Sequence, residues 1–330
     1  MKEILNLLIS HKTLDKAVAK EVLINMANGV YNQSQISVFL TVYMMRPVTV
    51  EEMEGFRDAL LELCVAIDLD EFSAIDLCGT GGDGKDTFNI STLASFVVAG
   101  SGINVAKHGN YGVSSISGSS NMMEYFGIKF TNDQDTLRRQ VDKSGICFLH
   151  APLFHPALKN VGPVRKDIGL KTFFNMLGPM VNPANVKKQV VGVFNLELAR
   201  IYSYLYQKTD INYTILHALD GYDEISLTGA TKMIGKRSER LINPEDFGVN
   251  KVRAEDLFGG STVPEMAAIF KRVLDGEGTE AQNNVVCANA AMAIHCVYPE
   301  LGLETAFKLA DESLKSKKAL ASFNQLIALQ

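Results

Sequence analysis

Glycine is spread so unevenly along these 330 residues that its distribution alone divides the chain. Gly29 and Gly55 are the only glycines among the first 75 residues, where 26 in 330 would put about six. Residues 78–119 hold nine, where about three are expected. Glycine carries no Cβ, so it tolerates positive φ and lets backbone come close to a ligand. A glycine-poor stretch suited to helices therefore precedes a region of tight turns, and the change near residue 73 predicts a domain boundary.

The first stretch reads as helices. Met1 to Ile9 is a short amphipathic helix with an acid at position 3. Leu14, Ala17, Val18, Glu21, Val22 and Leu23 follow at helical spacing, with Thr13 as the expected N-cap and Gly29 closing the end. Ser34 to Met45 is a second such helix, stopped by Pro47, and Thr49 with Glu52 makes a capping box for a third running to about Ile67. From Ser73 short β-branched runs alternate with helices. Expected strands are 74–78, 103–106, 146–149, 190–194 and 213–218, with helices over 92–99, 120–126 and 196–207. That order predicts an α/β fold: a small discontinuous helical domain plus a larger domain around a mostly parallel sheet. The helical domain spans 1–72, joined by part of the proline-interrupted stretch 153–185; residues 73–152 and 186–330 form the other. Helices over 263–274, 282–296 and 302–328 close the chain.

Composition narrows the function. The apolar fraction is 47% and the charged fraction 21%, which excludes wholesale disorder. A net charge of −5 supplies no global field for nucleic acid or anionic membrane, so neither is expected as a partner. Cys64, Cys78, Cys147, Cys287 and Cys296 are odd in number and widely spaced, which argues against a disulfide framework or zinc cage and for a reducing, cytoplasmic setting. No apolar run reaches the ~18 residues that would span a bilayer.

Four segments carry chemistry. Asp76-Leu77-Cys78-Gly79-Thr80-Gly81-Gly82-Asp83-Gly84 ends a strand in a glycine-rich turn, and Thr87-Phe88-Asn89-Ile90-Ser91-Thr92 leads into a helix starting at Ser91 or Thr92. Successive N–H groups and a helix N-terminus suit a phosphate. The segment is neither a Walker loop nor a dinucleotide fingerprint. Lys107-His108-Gly109-Asn110-Tyr111-Gly112-Val113-Ser114-Ser115, followed by Gly118-Ser119, leaves a second strand with a cation, an amide and several hydroxyls. Loops at the carboxyl ends of parallel strands share one crevice, so these two should converge. His108 alone reads as a hydrogen-bonding residue rather than a base. In His155–Arg165, Arg165 can fork onto a carboxylate, though by itself it reads equally as a helix-surface residue. In Gly221–Ser226, the neighbouring acids Asp223 and Glu224 point different ways from an extended chain, which suits two Mg²⁺ positions or an ordinary acidic turn.

Together with Lys171–Pro183 (K-T-F-F-N-M-L-G-P-M-V-N-P), these motifs, in order and spacing, resemble the anthranilate phosphoribosyltransferase family over essentially the whole chain. The resemblance implies a fold of the nucleoside-phosphorylase type, a homodimer formed through the helical domain, and an active site in the cleft between domains. It implies transfer of phosphoribosyl from phosphoribosyl pyrophosphate to anthranilate with Mg²⁺. Gly79, Gly82, Asp83 and Thr87 would hold the phosphoribosyl substrate, with Asn89, Ile90, Ser91 and Thr92. Lys107, His108, Gly109, Asn110, Tyr111 and Gly112 would complete that pocket, with Val113, Ser114, Ser115 and Ser119. Ser91, Asp223 and Glu224 would bind Mg²⁺ directly or through water. Gly79, Asn110 and Arg165 would contact anthranilate, with His108 and His155-Pro156 lining its approach.

The residue types fit catalysis by positioning and leaving-group stabilisation, with Lys107 and loop N–H groups facing the departing charge and no covalent enzyme nucleophile. Two positions depart from the family pattern. Tyr111 stands where an Arg is usual, removing a positive charge near the phosphates, and Asn121 stands where Asp is usual. A pyrimidine nucleoside phosphorylase is disfavoured because its K-H-S-T-G-G-V-G-D loop is missing. A silent nucleic-acid-binding relative is disfavoured by the net charge and the intact motifs.

Overall fold

The structure, a computed structural model, describes residues 1–112 and 116–330. Val113, Ser114 and Ser115 lie outside the described residues. The chain divides into two compact units, Met1–Ala66 with Ala151–Pro183, and Ile67–His150 with Ala184–Gln330.

The first unit opens with α1 (Lys2–Ile9), α2 (Lys16–Ala27), α3 (Gln33–Met45) and α4 (Val50–Glu62). The N-cap of α2 is Asp15, not Thr13: its carboxylate accepts the Val18 N–H at 2.8 Å. An anionic acceptor is favoured at a helix N-terminus, and the intervening Leu14 is buried, with its N–H donated to Glu52. Thr49 and Glu52 form the expected capping box on α4. That helix ends at Glu62, short of Ile67, as the chain leaves to give the Val65 N–H to the carbonyl of Phe154. Glu52 is 0% exposed and also accepts from Leu14 N (3.0 Å), the Tyr43 hydroxyl (2.9 Å), Thr49 N (2.9 Å) and the Arg46 guanidinium. Phe173 stacks on Phe56 with ring centroids 4.4 Å apart and meets Phe39 and Tyr43 edge-on. The later segment thereby joins the core of the earlier one.

The second unit runs β1 (Ile75–Gly79), α5 (Ile90–Gly100), β2 (Val105–Gly109), α6 (Ser119–Tyr125), α7 (Gln134–Ser144) and β3 (Ile146–His150). After α8 (Ala151–Phe154) and α9 (Gly162–Ile168) of the helical unit, it resumes with β4 (Lys188–Gly192), α10 (Leu196–Tyr206), β5 (Asn212–Ala218), β6 (Thr231–Gly235) and β7 (Glu239–Ile242). Helices α11 (Val263–Leu274), α12 (Glu280–Val297), α13 (Leu303–Lys315) and α14 (Lys318–Ala328) follow. The sheet order is β3-β2-β1-β4-β5-β6-β7. β3 to β5 are parallel and β6 and β7 antiparallel. Consecutive residues of β3 and β5 are buried, as both-faced covering demands. Twelve of the eighteen residues of α12 are buried, and its Ala288, Ala290, Ala291 and Ala293 allow the close packing against α5.

From β1 the chain steps outward to β2 and β3, then returns to the other side of β1 as β4. The order therefore reverses between β1 and β4, and in open α/β sheets the carboxyl ends of strands at such a point are where ligands bind.

Candidate active site

Two glycines meet at the switch point, for Gly79 ends β1 directly opposite Gly192 at the end of β4. The Thr80 N–H donates to the Gly192 carbonyl at 2.9 Å, extending the pairing by one bond. Onto this side-chain-free pair the acidic turn is laid. A Cβ on Gly192 would stand 1.4 Å from the Asp223 carbonyl oxygen, and one on Gly79 would stand 2.4 Å from Asp223 Oδ2. No other residue fits at position 192 with Asp223 where it is.

The two acids then reach the loop by different routes. Asp223 Oδ2 accepts the Gly81 N–H at 2.7 Å, and Glu224 Oε1 accepts the Ser91 N–H at 2.9 Å in the first turn of α5. That helix begins at Ile90, with Asn89 as its cap position, one residue ahead of expectation. Gly81, Gly82 and Gly84 all have positive φ, so the loop folds back in a conformation other residues resist. Asp83 closes the turn, accepting the N–H groups of Lys85 (3.1 Å) and Asp223 (3.4 Å). Burial, then the charge of Asp83, holds the Asp223 carboxyl well above the usual carboxylate range. Burial, then Asp223 and Asp83, does the same for Glu224. Beside them Thr80 Oγ1, Asn89 Oδ1 and Thr92 Oγ1 are buried without a hydrogen-bond partner among the described residues. Crowded carboxylates and unsatisfied polar atoms together call for a ligand carrying both a cation and acceptors or donors of its own.

The second loop is tied to α6. Asn121 Oδ1 accepts from Gly112 N and Gly118 N, each at 2.9 Å, and the Asn110 carbonyl accepts from Ser120 N at 3.1 Å. An amide oxygen at 121 thus makes the acceptor contacts without a carboxylate. Tyr111 turns its ring edge to His150, 4.8 Å between centroids, and its hydroxyl donates to Glu124. Lys107 departs from the open cation expected of it. It is 1% exposed, and its ammonium donates to the Leu77 carbonyl at 2.5 Å. Beneath it Asp76, fully buried, accepts from His108 N and Gln189 Nε2, both at 3.1 Å.

In the helical unit Arg165 lies half-buried on α9, its guanidinium 5.0 Å from the centroid of Phe174 and 3.5 Å from Asn175 Oδ1. It makes no ion pair with a carboxylate among the described residues, and burial draws its pKa down.

The chain matches two family descriptions, the glycosyl transferase family helical bundle domain over residues 2–64 and the a/b domain over 71–320. It is 65% identical over 326 residues to the anthranilate phosphoribosyltransferase of Flavobacterium psychrophilum, covering 99% of this chain and 98% of that one. It is 53% identical over 327 residues to that of Cytophaga hutchinsonii, covering 99% and 100%. Among solved structures the Thermus thermophilus enzyme superposes with a TM-score of 0.91 at 29% identity, covering 98% of each chain. The chain belongs to the anthranilate phosphoribosyltransferase family. The Saccharomyces cerevisiae member, solved with phosphoribosyl pyrophosphate and Mg, superposes with a TM-score of 0.89 at 26% identity, over 98% of this chain and 96% of that one.

Within this anthranilate phosphoribosyltransferase framework, three residues escaped the sequence reading. Gly192 ends an ordinary-looking strand, and only its pairing with Gly79 and closeness to Asp223 reveal its importance. Asp76 is visible as the polar residue of an apolar strand, the one signal available beforehand. Thr80 sits inside the glycine motif, where nothing in the sequence sets its hydroxyl apart from its neighbours.

Proposed function

We propose a division of labour among these residues for the reaction of the family. The chain transfers the phosphoribosyl group of phosphoribosyl pyrophosphate to the amine of anthranilate, giving N-(5-phosphoribosyl)anthranilate and pyrophosphate, in tryptophan biosynthesis. The observation that carries the assignment is the convergence of Gly81 N–H and Ser91 N–H on Asp223 and Glu224 at the β1/β4 switch point. Gly79, Gly82, Asp83 and Thr87, with Asn89 to Thr92, hold the phosphoribosyl substrate, and the Lys107–Gly112 loop with Ser119 completes the pocket.

Asp223 and Glu224, with Ser91, are the residues that would hold Mg²⁺. They fit it: buried carboxylates with elevated pKa values gain from a divalent cation. Such a site is completed by water and substrate oxygens. When bound, Mg²⁺ supplies charge neutralisation to the diphosphate. As the C1–O bond breaks, its electron pair leaves with pyrophosphate, and the N-terminal end of the α5 dipole stabilises the growing negative charge. The anthranilate nitrogen already has the lone pair that forms the new N–C1 bond, and its proton leaves afterwards to solvent or to the phosphate. Lys107, held on Leu77, sets the positive background under the loop rather than reaching out. Cys78, the thiol nearest the loop, is pushed up in pKa by burial and is no thiolate nucleophile. Gly79 and Asn110 are assigned to anthranilate, and the Arg165 guanidinium suits pairing with its carboxylate.

Exposed Ile9, Val38 and Met45, the last 82% exposed, support a homodimer formed through the helical unit. Five free cysteines support a reducing, cytoplasmic setting; no helix among the described residues is long and apolar enough to cross a membrane. Mixing the protein with anthranilate, phosphoribosyl pyrophosphate and Mg²⁺ and following anthranilate fluorescence tests the activity directly. The signal should fall with enzyme concentration, and Asp223→Asn with Glu224→Gln should abolish the fall. Persistence of activity in that double variant would refute the assignment.

A further inference from the structure

Lys85 follows the glycine-rich turn directly and is not among the residues assigned to the phosphoribosyl substrate. Its backbone N–H is spent on Asp83 Oδ1, the carboxylate that also accepts from Asp223 N. Its ammonium lies 4.5 Å from the centroid of the Tyr222 ring, next to Asp223 in sequence. Tyr222 is itself fixed, buried and with its carbonyl accepting the Ala218 N–H at 3.0 Å. Gly221, with φ of +99°, runs beside the lysine stem, where a Cβ would make ordinary contact 3.6 Å from Lys85 Cε. The main chain thus leads a long cation to the rim of a carboxylate cluster, yet the ammonium makes no ion pair with a carboxylate among the described residues. An aromatic face holds a lysine only weakly at a partly open position, and releasing it costs little against a phosphate oxygen.

We propose that Lys85 is a further binding residue of this site, giving its charge to the diphosphate of the substrate and steered there by Tyr222. The ligand class follows from the surroundings. A monoanion would be poorly matched to a site already holding three carboxylates, whereas a diphosphate carrying its own divalent cation brings charge of both signs. The proposal rests on the assignment of the 79–92 loop to that diphosphate.

Calorimetric titration of the full chain with inorganic pyrophosphate and with phosphoribosyl pyrophosphate, both with Mg²⁺, tests it. Lys85→Met should weaken both by about tenfold, as expected for one lost charge-assisted contact. Lys85→Arg should stay within about threefold of wild type, and the deficit of Lys85→Met should shrink as salt rises. The KM for anthranilate should not move. Lys85→Met binding both compounds like wild type would overturn the proposal, as would an equal loss of anthranilate affinity. Failure of the wild-type chain to bind either compound would overturn the loop assignment instead, and the proposal with it.

Discussion

At Arg165 a desolvated guanidinium rests on the face of Phe174 and within reach of Asn175, with its charge left for a ligand. Hydrogen bonds to a charged group contribute ~1.5–3 kcal/mol, so Arg165→Ala should raise the KM for anthranilate roughly 10- to 100-fold. Steady-state kinetics with each substrate varied in turn checks this, because the KM for phosphoribosyl pyrophosphate should stay nearly constant. Glu52 carries a different prediction, one of stability. Burial would raise its pKa, but the bonds from Arg46, Leu14, Thr49 and Tyr43 outweigh burial and hold it below its ordinary 4.5. A lowered folded-state value means the carboxylate stabilises the fold fully above the unfolded pKa. That contribution is lost as pH falls through the folded value. Glu52→Gln should therefore cost ~3 kcal/mol at pH 7, by leaving Arg46 unmatched, and progressively less below about pH 4. Thermal melts of both proteins across that range read the difference.

At the scale of elements, the ends of the strands set the site. Because a Cβ on Gly192 would overlap the Asp223 carbonyl, Gly192→Ala must displace the acidic turn from the glycine loop. Displacement of about 1 Å in a positioned group costs ~100-fold, so kcat/KM for phosphoribosyl pyrophosphate should drop by at least that factor. Gly302→Ala, where a Cβ meets nothing within 4 Å, should leave it unchanged and serves as the control for substitution itself. Much of this level was legible beforehand. The five parallel strands announce themselves by β-branched runs, and Thr49 with Glu52 marks the start of α4 by side chain alone. The hairpin of β6 and β7 was not legible, because Thr231–Gly235 and Glu239–Ile242 are short and charge-bearing, with no continuous apolar run, and β7 lies at the sheet edge. Nor was the seat of Asp223, which depends on a contact between residues 31 apart that local pattern does not encode. Lys107 illustrates the same limit: its cation is evident from the letters, its burial against Leu77 only from the packed sheet.

For the molecule as a whole, folding topology makes the chemistry. A switch in strand order opens a crevice, glycines floor it, and acids cross it to meet backbone N–H groups. Asp223 and Glu224 already accept backbone N–H groups and Cys78 is raised in pKa by burial, so rapid quenching followed by intact-protein mass spectrometry should find no ribosyl adduct during turnover. The most direct measurement is calorimetric binding of phosphoribosyl pyrophosphate with and without Mg²⁺, in wild type and in Asp223→Asn with Glu224→Gln. Wild type should bind far more tightly when the ion is added, and the double variant should lose that gain while binding anthranilate as before. A gain from Mg²⁺ undiminished in the variant would contradict the account.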